Sequence, residues 1–245
     1  MKNRVLLRWL TAVATFVALG STAAQAVLVN LGPGSFTPAA TTITFSEYAV
    51  GTVNPSYSLS AGSLGTVGVT FAASFVGQTI TGGAVKTLSG SPTGPLTLSG
   101  AGITKIVTDG ANPTSPILSG DPIYNGPISV LFSVPVAAVG LSGGFFDAIG
   151  GTSITAFDSA GVVLGTIVNT ALGIQFYGLA DSGGASVIKG ISFYITGPEP
   201  FGFGIDNLTF GGGEVIAGTP DGGYSLLMLG GIVGIMSLMR RRLAS

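Results

Sequence analysis

The 245-residue chain carries 41 glycines, no cysteine and no histidine, and its formal charge is −1. Without those two residue types it has no disulfide frame, no thiol chemistry, no imidazole base and no Ser-His or Cys-His arrangement. Residues 27–218 hold three lysines (Lys86, Lys105, Lys189) against nine acids, so −6, and no arginine. That balance excludes nucleic acid, whose phosphates require clustered Lys and Arg, and points to neutral or cationic partners.

The N-terminus begins with Lys2, Arg4 and Arg8, continues with an apolar stretch from Trp9 to Leu19, and ends in Ala24-Gln25-Ala26. This is the n-region, h-region and A-x-A site of a secretory signal peptide over 1–26, with Ala24 and Ala26 set for signal peptidase. Export follows, and the mature chain starts at Val27.

Residues 27–218 are a natural size for one domain. Their apolar patches are short, β-branched or aromatic, and broken by Gly, Pro, Asn and Asp, and none shows a 3.6-residue period between caps. Strands are predicted near Thr42–Tyr48, Gly68–Ala73, Ile128–Val134, Ala138–Phe146, Ser153–Phe157, Val162–Val168, Ile174–Tyr177, Val187–Thr196 and Phe203–Phe210. The expected fold is all-β, a single jelly-roll-like β-sandwich. Asp158-Ser159-Ala160-Gly161 reads as a hairpin turn, with the aspartate capping backbone amides and Gly161 taking a positive φ. Six of the 13 prolines fall between Pro92 and Pro127. Proline blocks central pairing, so about 90–127 reads as a long loop or a set of edge strands.

Several residue sets are candidates for chemistry. The glycines of Gly140–Gly144 lack the following helix that a phosphate loop needs, and read as turns and strand bends. Glycoside hydrolysis needs only two carboxylates, and Asp147, Asp158, Asp181 and Glu199 are the options. Asp158 and Asp181 are explained by turns, and Glu199 sits rigidly between Pro198 and Pro200. Asp147, after Phe145-Phe146, has no local explanation. Tyr57, Tyr124, Phe176, Tyr177, Tyr194, Phe201 and Phe203 could form a glycan platform or be consumed by the core. Glu47 is in phase with Ile43 and Phe45 and so faces inward, while Asp206-Asn207 interrupts the closing strand. Two readings stand for Glu47, Asp206 and Asn207: oxygen ligands of a structural calcium ion, the only cofactor expected, or edge and bulge positions facing water.

The chain closes with Thr219-Pro220-Asp221-Gly222-Gly223, an apolar run over 224–239, and a basic end at 240–245. The 16-residue run makes about 24 Å of helix, a membrane-spanning length if the bilayer thins or the arginines snorkel. Arg240, Arg241 and Arg242 favour the cytoplasmic side, which leaves the body outside. This tripartite tail resembles the C-terminal sorting signals of the PEP-CTERM class of Gram-negative bacteria, most closely the variant V-P-D-S-G. Pro220, Asp221 and Gly223 match that variant, whereas Thr219 replaces its valine and Gly222 its serine. The resemblance implies a sorting signal over 219–245, handled by an exosortase-like membrane protease or transpeptidase that cleaves near the motif. It further implies an inner-membrane-anchored precursor, a final location at the envelope surface or outside the cell, and a link to exopolysaccharide and biofilm.

From Val139 to Phe210 the body also resembles the β-sandwich domains that precede such tails, through Val134–Gly140, Phe157–Gly161 and the closing Phe203–Phe210. The leading functional expectation is a non-enzymatic exported envelope or extracellular-matrix protein, itself a sorting substrate. The alternatives are a surface-presented glycan-binding module and, last, a carboxylate-based glycoside hydrolase.

Overall fold

The computed structural model describes residues 27–111 and 115–217. The signal peptide and the 219–245 tail lie outside them. Among the described residues no helix is long and apolar enough to cross a membrane. Among the described residues every strand pairing is antiparallel, and this part of the chain is all-β.

The strands are β1 (Leu28–Asn30), β2 (Thr41–Ile43), β3 (Ser56–Ser60), β4 (Thr66–Ala72), β5 (Thr79–Gly82), β6 (Lys86–Ser89), β7 (Thr104–Val107), β8 (Ile117–Gly120), β9 (Ile128–Val136), β10 (Ala138–Phe146), β11 (Thr152–Phe157), β12 (Val163–Val168), β13 (Gly173–Asp181), β14 (Ile188–Ile195) and β15 (Gly204–Gly211). One sheet runs β1-β13-β10-β15-β8-β7, with β2 also on β15; a second runs β12-β11-β14-β9-β4-β3; β5 and β6 form a separate hairpin. The alternating residues of the two large sheets meet in one apolar cluster. Val139, Leu141, Tyr177, Leu179, Leu208 and Phe210 come from the first sheet, and Val69, Phe71, Val130, Phe132, Ile154, Ile191 and Phe193 from the second. Burial of rings such as Phe132, Phe193 and Phe210 drives this assembly, at about 1.5–3 kcal/mol per large apolar side chain.

Each sheet's outer face is covered by irregular chain. Leu31, Phe36 and Ala40, with Val215 and Ile216, pack over Ala138 and Ala180 of the first sheet and over Ala137 in the link between β9 and β10. Phe75, Leu96 and Leu98 pack over Leu131 and Phe157 of the second. The Pro/Gly-rich stretch is therefore not one loop. Its first part covers a sheet, and its second supplies β7 and β8, an edge pair of the first sheet, as the edge-strand alternative expects.

The predicted strand over Thr42–Tyr48 is cut short. β2 ends at Ile43, because Phe45 takes a left-handed φ of 57° and turns the chain. Ile43 and Phe45 still reach the core, but the alternation stops there. Glu47 is consequently exposed and not inward-facing.

Candidate functional site

At the end of the body where β10 finishes and β15 starts lies a cleft of about 430 Å³, lined by Asp109, Ala111, Tyr124, Gly144, Phe145, Asp147, Phe201, Gly202 and Phe203. Three segments build it. In β10 the register on β13 shifts between Gly143 and Phe146. Gly144 permits this with a φ of 148°, and a Cβ there would stand 2.7 Å from the Gly173 carbonyl oxygen. The shift throws Phe145 outward, 52% exposed, and returns Phe146 to the core.

The second segment is Glu199-Pro200-Phe201-Gly202, in which Phe201 is 76% exposed, the most exposed large apolar side chain among the described residues. Gly202 has a φ of 78° and passes so close to the Tyr124 carbonyl that no Cβ fits. The Phe203 amide then donates to the Tyr124 carbonyl oxygen at 2.7 Å, fixing the loop to the third segment. There the Tyr124 hydroxyl donates to the Thr108 carbonyl oxygen at 2.7 Å. Burial, and then the nearby Asp109, push this phenol above its ordinary range. Asp109 itself accepts from the Ala111 amide at 2.9 Å.

Asp147, the predicted carboxylate without a local explanation, forms an exposed part of the cleft wall. Behind it Glu199 is only 3% exposed. Its Oε1 accepts from the Asp147 amide at 2.9 Å, while Oε2 is buried without a hydrogen-bond partner. Burial raises the Glu199 pKa above the usual carboxylate range; the Asp147 charge adds to the rise, and the amides of Asp147 and Ala148 oppose it. Burial foremost, and Glu199 after it, also raise Tyr177, against the hydrogen bond it shares with Thr152. The pairing of Asp147 with Glu199 is not legible in a sequence that separates them by 52 positions. The one available signal is a glutamate held between two prolines.

The other sequence candidates fall elsewhere. Asp158 caps the amides of Ala160 and Val162, both at 2.8 Å, as the turn reading expects. Asp181 likewise accepts from Gly183 and Ala185 at 3.0 Å. Tyr57, Tyr177 and Phe203 are buried in the core; Phe203 also forms the cleft floor, whereas Phe176 and Tyr194 are half-buried away from the cleft. Glu47 serves its own turn, accepting from the Thr44 amide and hydroxyl at 3.0 and 2.9 Å. Asp206 is fully buried and accepts from the Asn207 amide at 2.7 Å and from its side-chain nitrogen at 3.2 Å. Asn207, at a φ of 50°, is the bulge where the β10–β15 register shifts, and β2 does neighbour the closing strand. Among the described residues no group of three or more acidic side chains could hold a metal ion. Pro220, Asp221, Gly222, Gly223 and Arg240–Arg242 lie outside the described residues, as do Ala24 and Ala26.

No protein-family model matches the chain, and neither a curated protein nor a solved structure shows significant similarity to it.

Proposed function

We propose that this chain is a non-enzymatic, exported envelope or extracellular-matrix protein. Its body is a jelly-roll-like β-sandwich that holds extracellular polysaccharide in the Tyr124–Phe145–Phe201 cleft, and its tail is the substrate of an exosortase-like enzyme. The observation that carries the glycan reading is the pair of phenylalanine rings left in water on one cleft, at 52% and 76% exposure, beside two carboxylates. Apolar rings on a surface are costly unless something covers them, and the C–H face of a sugar stacks on such a ring while its hydroxyls reach polar neighbours.

Support for a binding role over hydrolysis comes from Glu199. A glycosidase sets two carboxyl groups on either side of the bond to be cut. Here one carboxyl group is shielded behind the other and tied to its backbone amide. Support for sorting comes from the tail alone, through Pro220, Asp221, Gly223 and the basic end.

Two experiments test the two halves. Retardation of the full chain in gels containing neutral or amino-sugar polysaccharide should be strong for wild type and absent for the Phe145→Ala/Phe201→Ala pair. Equal mobility of the two proteins would sink the glycan reading. Replacing Pro220-Asp221 by Ala-Ala should leave export intact and cause the unprocessed form to collect in the inner membrane. Normal processing of that variant would remove the motif from sorting.

A further inference from the structure

Among the described residues, the side chains that line the cleft accept hydrogen bonds and have almost nothing to donate. The carboxyl oxygens of Asp109 and Asp147 offer hydrogen-bond acceptors. Tyr124 has one proton, and it is committed to the Thr108 carbonyl oxygen. Phe145, Phe201 and Phe203 offer ring faces alone. Among the described residues no lysine lines the cleft. Lys86, whose side chain reaches the neighbouring 121–125 loop, is engaged there with Asp121, 3.7 Å from its carboxylate and 3.2 Å from its main-chain oxygen. Lys189 donates to the Ser133 carbonyl oxygen.

A ligand rich in acceptors, such as a uronate or a sulfated sugar, would bury its charges against carboxylates with no side chain to satisfy them. An N-acetyl group would bring a carbonyl that also lacks a side-chain donor. An ammonium group is the complementary case, with three donors and no acceptor. It gains from both aspartates and from the ring faces, which attract cations.

From this donor–acceptor balance we infer that the cleft takes a hexosamine glycan bearing free ammonium groups, stacked on Phe145 and Phe201 and held by Asp109 and Asp147. The inference rests on the glycan reading of the cleft and names its substrate class. The rings favour a sugar over a basic peptide: two broad apolar faces beside separated carboxylates suit a pyranose that presents a C–H face and an amine together.

The test uses the full chain in detergent micelles, in mildly acidic low-salt buffer, where a glucosamine amine is protonated. The probes are a glucosamine oligosaccharide, its fully N-acetylated counterpart, an oligogalacturonate and a short oligolysine. The glucosamine oligomer should bind at least about tenfold tighter than the acetylated one, a difference of about 1.4 kcal/mol. That preference should weaken with added salt. Asp109→Asn/Asp147→Asn should abolish the preference while leaving weak binding of both sugars, and Phe201→Ala should weaken both alike. Equal affinity for the two sugars, tighter binding of galacturonate, or a preference that survives the Asn pair would overturn the inference and leave the glycan reading standing. Oligolysine binding as tightly as the amino sugar would assign the cleft to a basic peptide instead. Binding of no sugar at all would remove the glycan reading and this inference together.

Discussion

The segments that lead into and out of β15 each hold a glutamate, and the body treats the two in opposite ways. Glu214, just past the strand, is half-buried and fully engaged: Ser63 donates its amide to Oε1 at 3.1 Å and its hydroxyl to Oε2 at 2.6 Å. Around it the chain is stitched by Thr37 donating to the Glu214 and Val215 carbonyl oxygens, and by the Ala217 amide donating to Ser35. Although burial raises its pKa, the hydrogen bonds, led by the Ser63 hydroxyl, outweigh that and leave Glu214 below the usual range. Glu199, before the strand, is more deeply buried, has one carboxyl oxygen without a partner, and is raised. One end of the body is closed by a satisfied carboxylate. The other tolerates an unsatisfied one, together with two exposed rings. Uncompensated cost of this kind is what the proposed binding role of the cleft would account for.

Stability measurements can break this contrast. The largest effect should come from the core that underlies the cleft. Phe193 lies 4.5 Å from Phe203, 5.3 Å from Tyr177 and 6.1 Å from Phe146, ring centre to ring centre. Phe193→Ala should cost about 3–5 kcal/mol in urea unfolding. Phe201→Ala, on the rim, should stay within about 0.5 kcal/mol of wild type. A large loss at Phe201 would make it a structural residue and weaken the case for the cleft.

A smaller and sharper effect is expected from pH. For Glu199 the folded-state pKa is above the unfolded value, so the folded state is favoured while the group is protonated. Stability is then lost as pH rises from the ordinary glutamate range through the raised folded pKa. For Glu214 the folded pKa is below the unfolded value, so its contribution is full above the ordinary range and lost as pH falls through the depressed one. Glu199→Gln should accordingly gain on wild type at neutral pH, and Glu214→Gln should lose about 1 kcal/mol there, since hydrogen bonds to a charged but half-exposed group are being weakened. Urea midpoints across the acid range check both. Slopes of the same sign for the two variants would contradict the comparison.

Most of the fold was readable because its long strands carry strong β-branched and aromatic alternation. Ala138–Phe146 coincides with β10, and the predictions for β4, β9, β11, β12, β14 and β15 fall within two residues at each end. Only the N-terminal half of β13 was foreseen, since Gly178-Leu179-Ala180-Asp181 lacks β-branched residues. β3, β5 and β6 were hidden in Ser/Thr-rich stretches with little apolar signal, and β7 and β8 by the prolines around them. A left-handed residue such as Phe45 breaks a period without any mark in the sequence, which is why Glu47 was placed on the wrong face. The cleft was legible only in pieces. Asp147 stood out for lack of a local role, and Phe201 and Tyr124 were among the candidate platform residues. That three loops bring them together depends on Gly144 and Gly202 at positive φ, and on long-range contacts that no local pattern encodes.

The central claim is that Phe201 is a sugar-contacting ring, and the composition of the chain makes this directly observable. The only tryptophan is Trp9, in the segment read as the signal peptide. Phe201→Trp therefore places a reporter on the rim, to be compared with the unsubstituted chain. On titration with glucosamine polysaccharide its emission should shift to shorter wavelength and saturate over the same concentration range in which the wild-type chain binds. Unchanged emission while the polysaccharide still binds would place the site elsewhere and contradict the account.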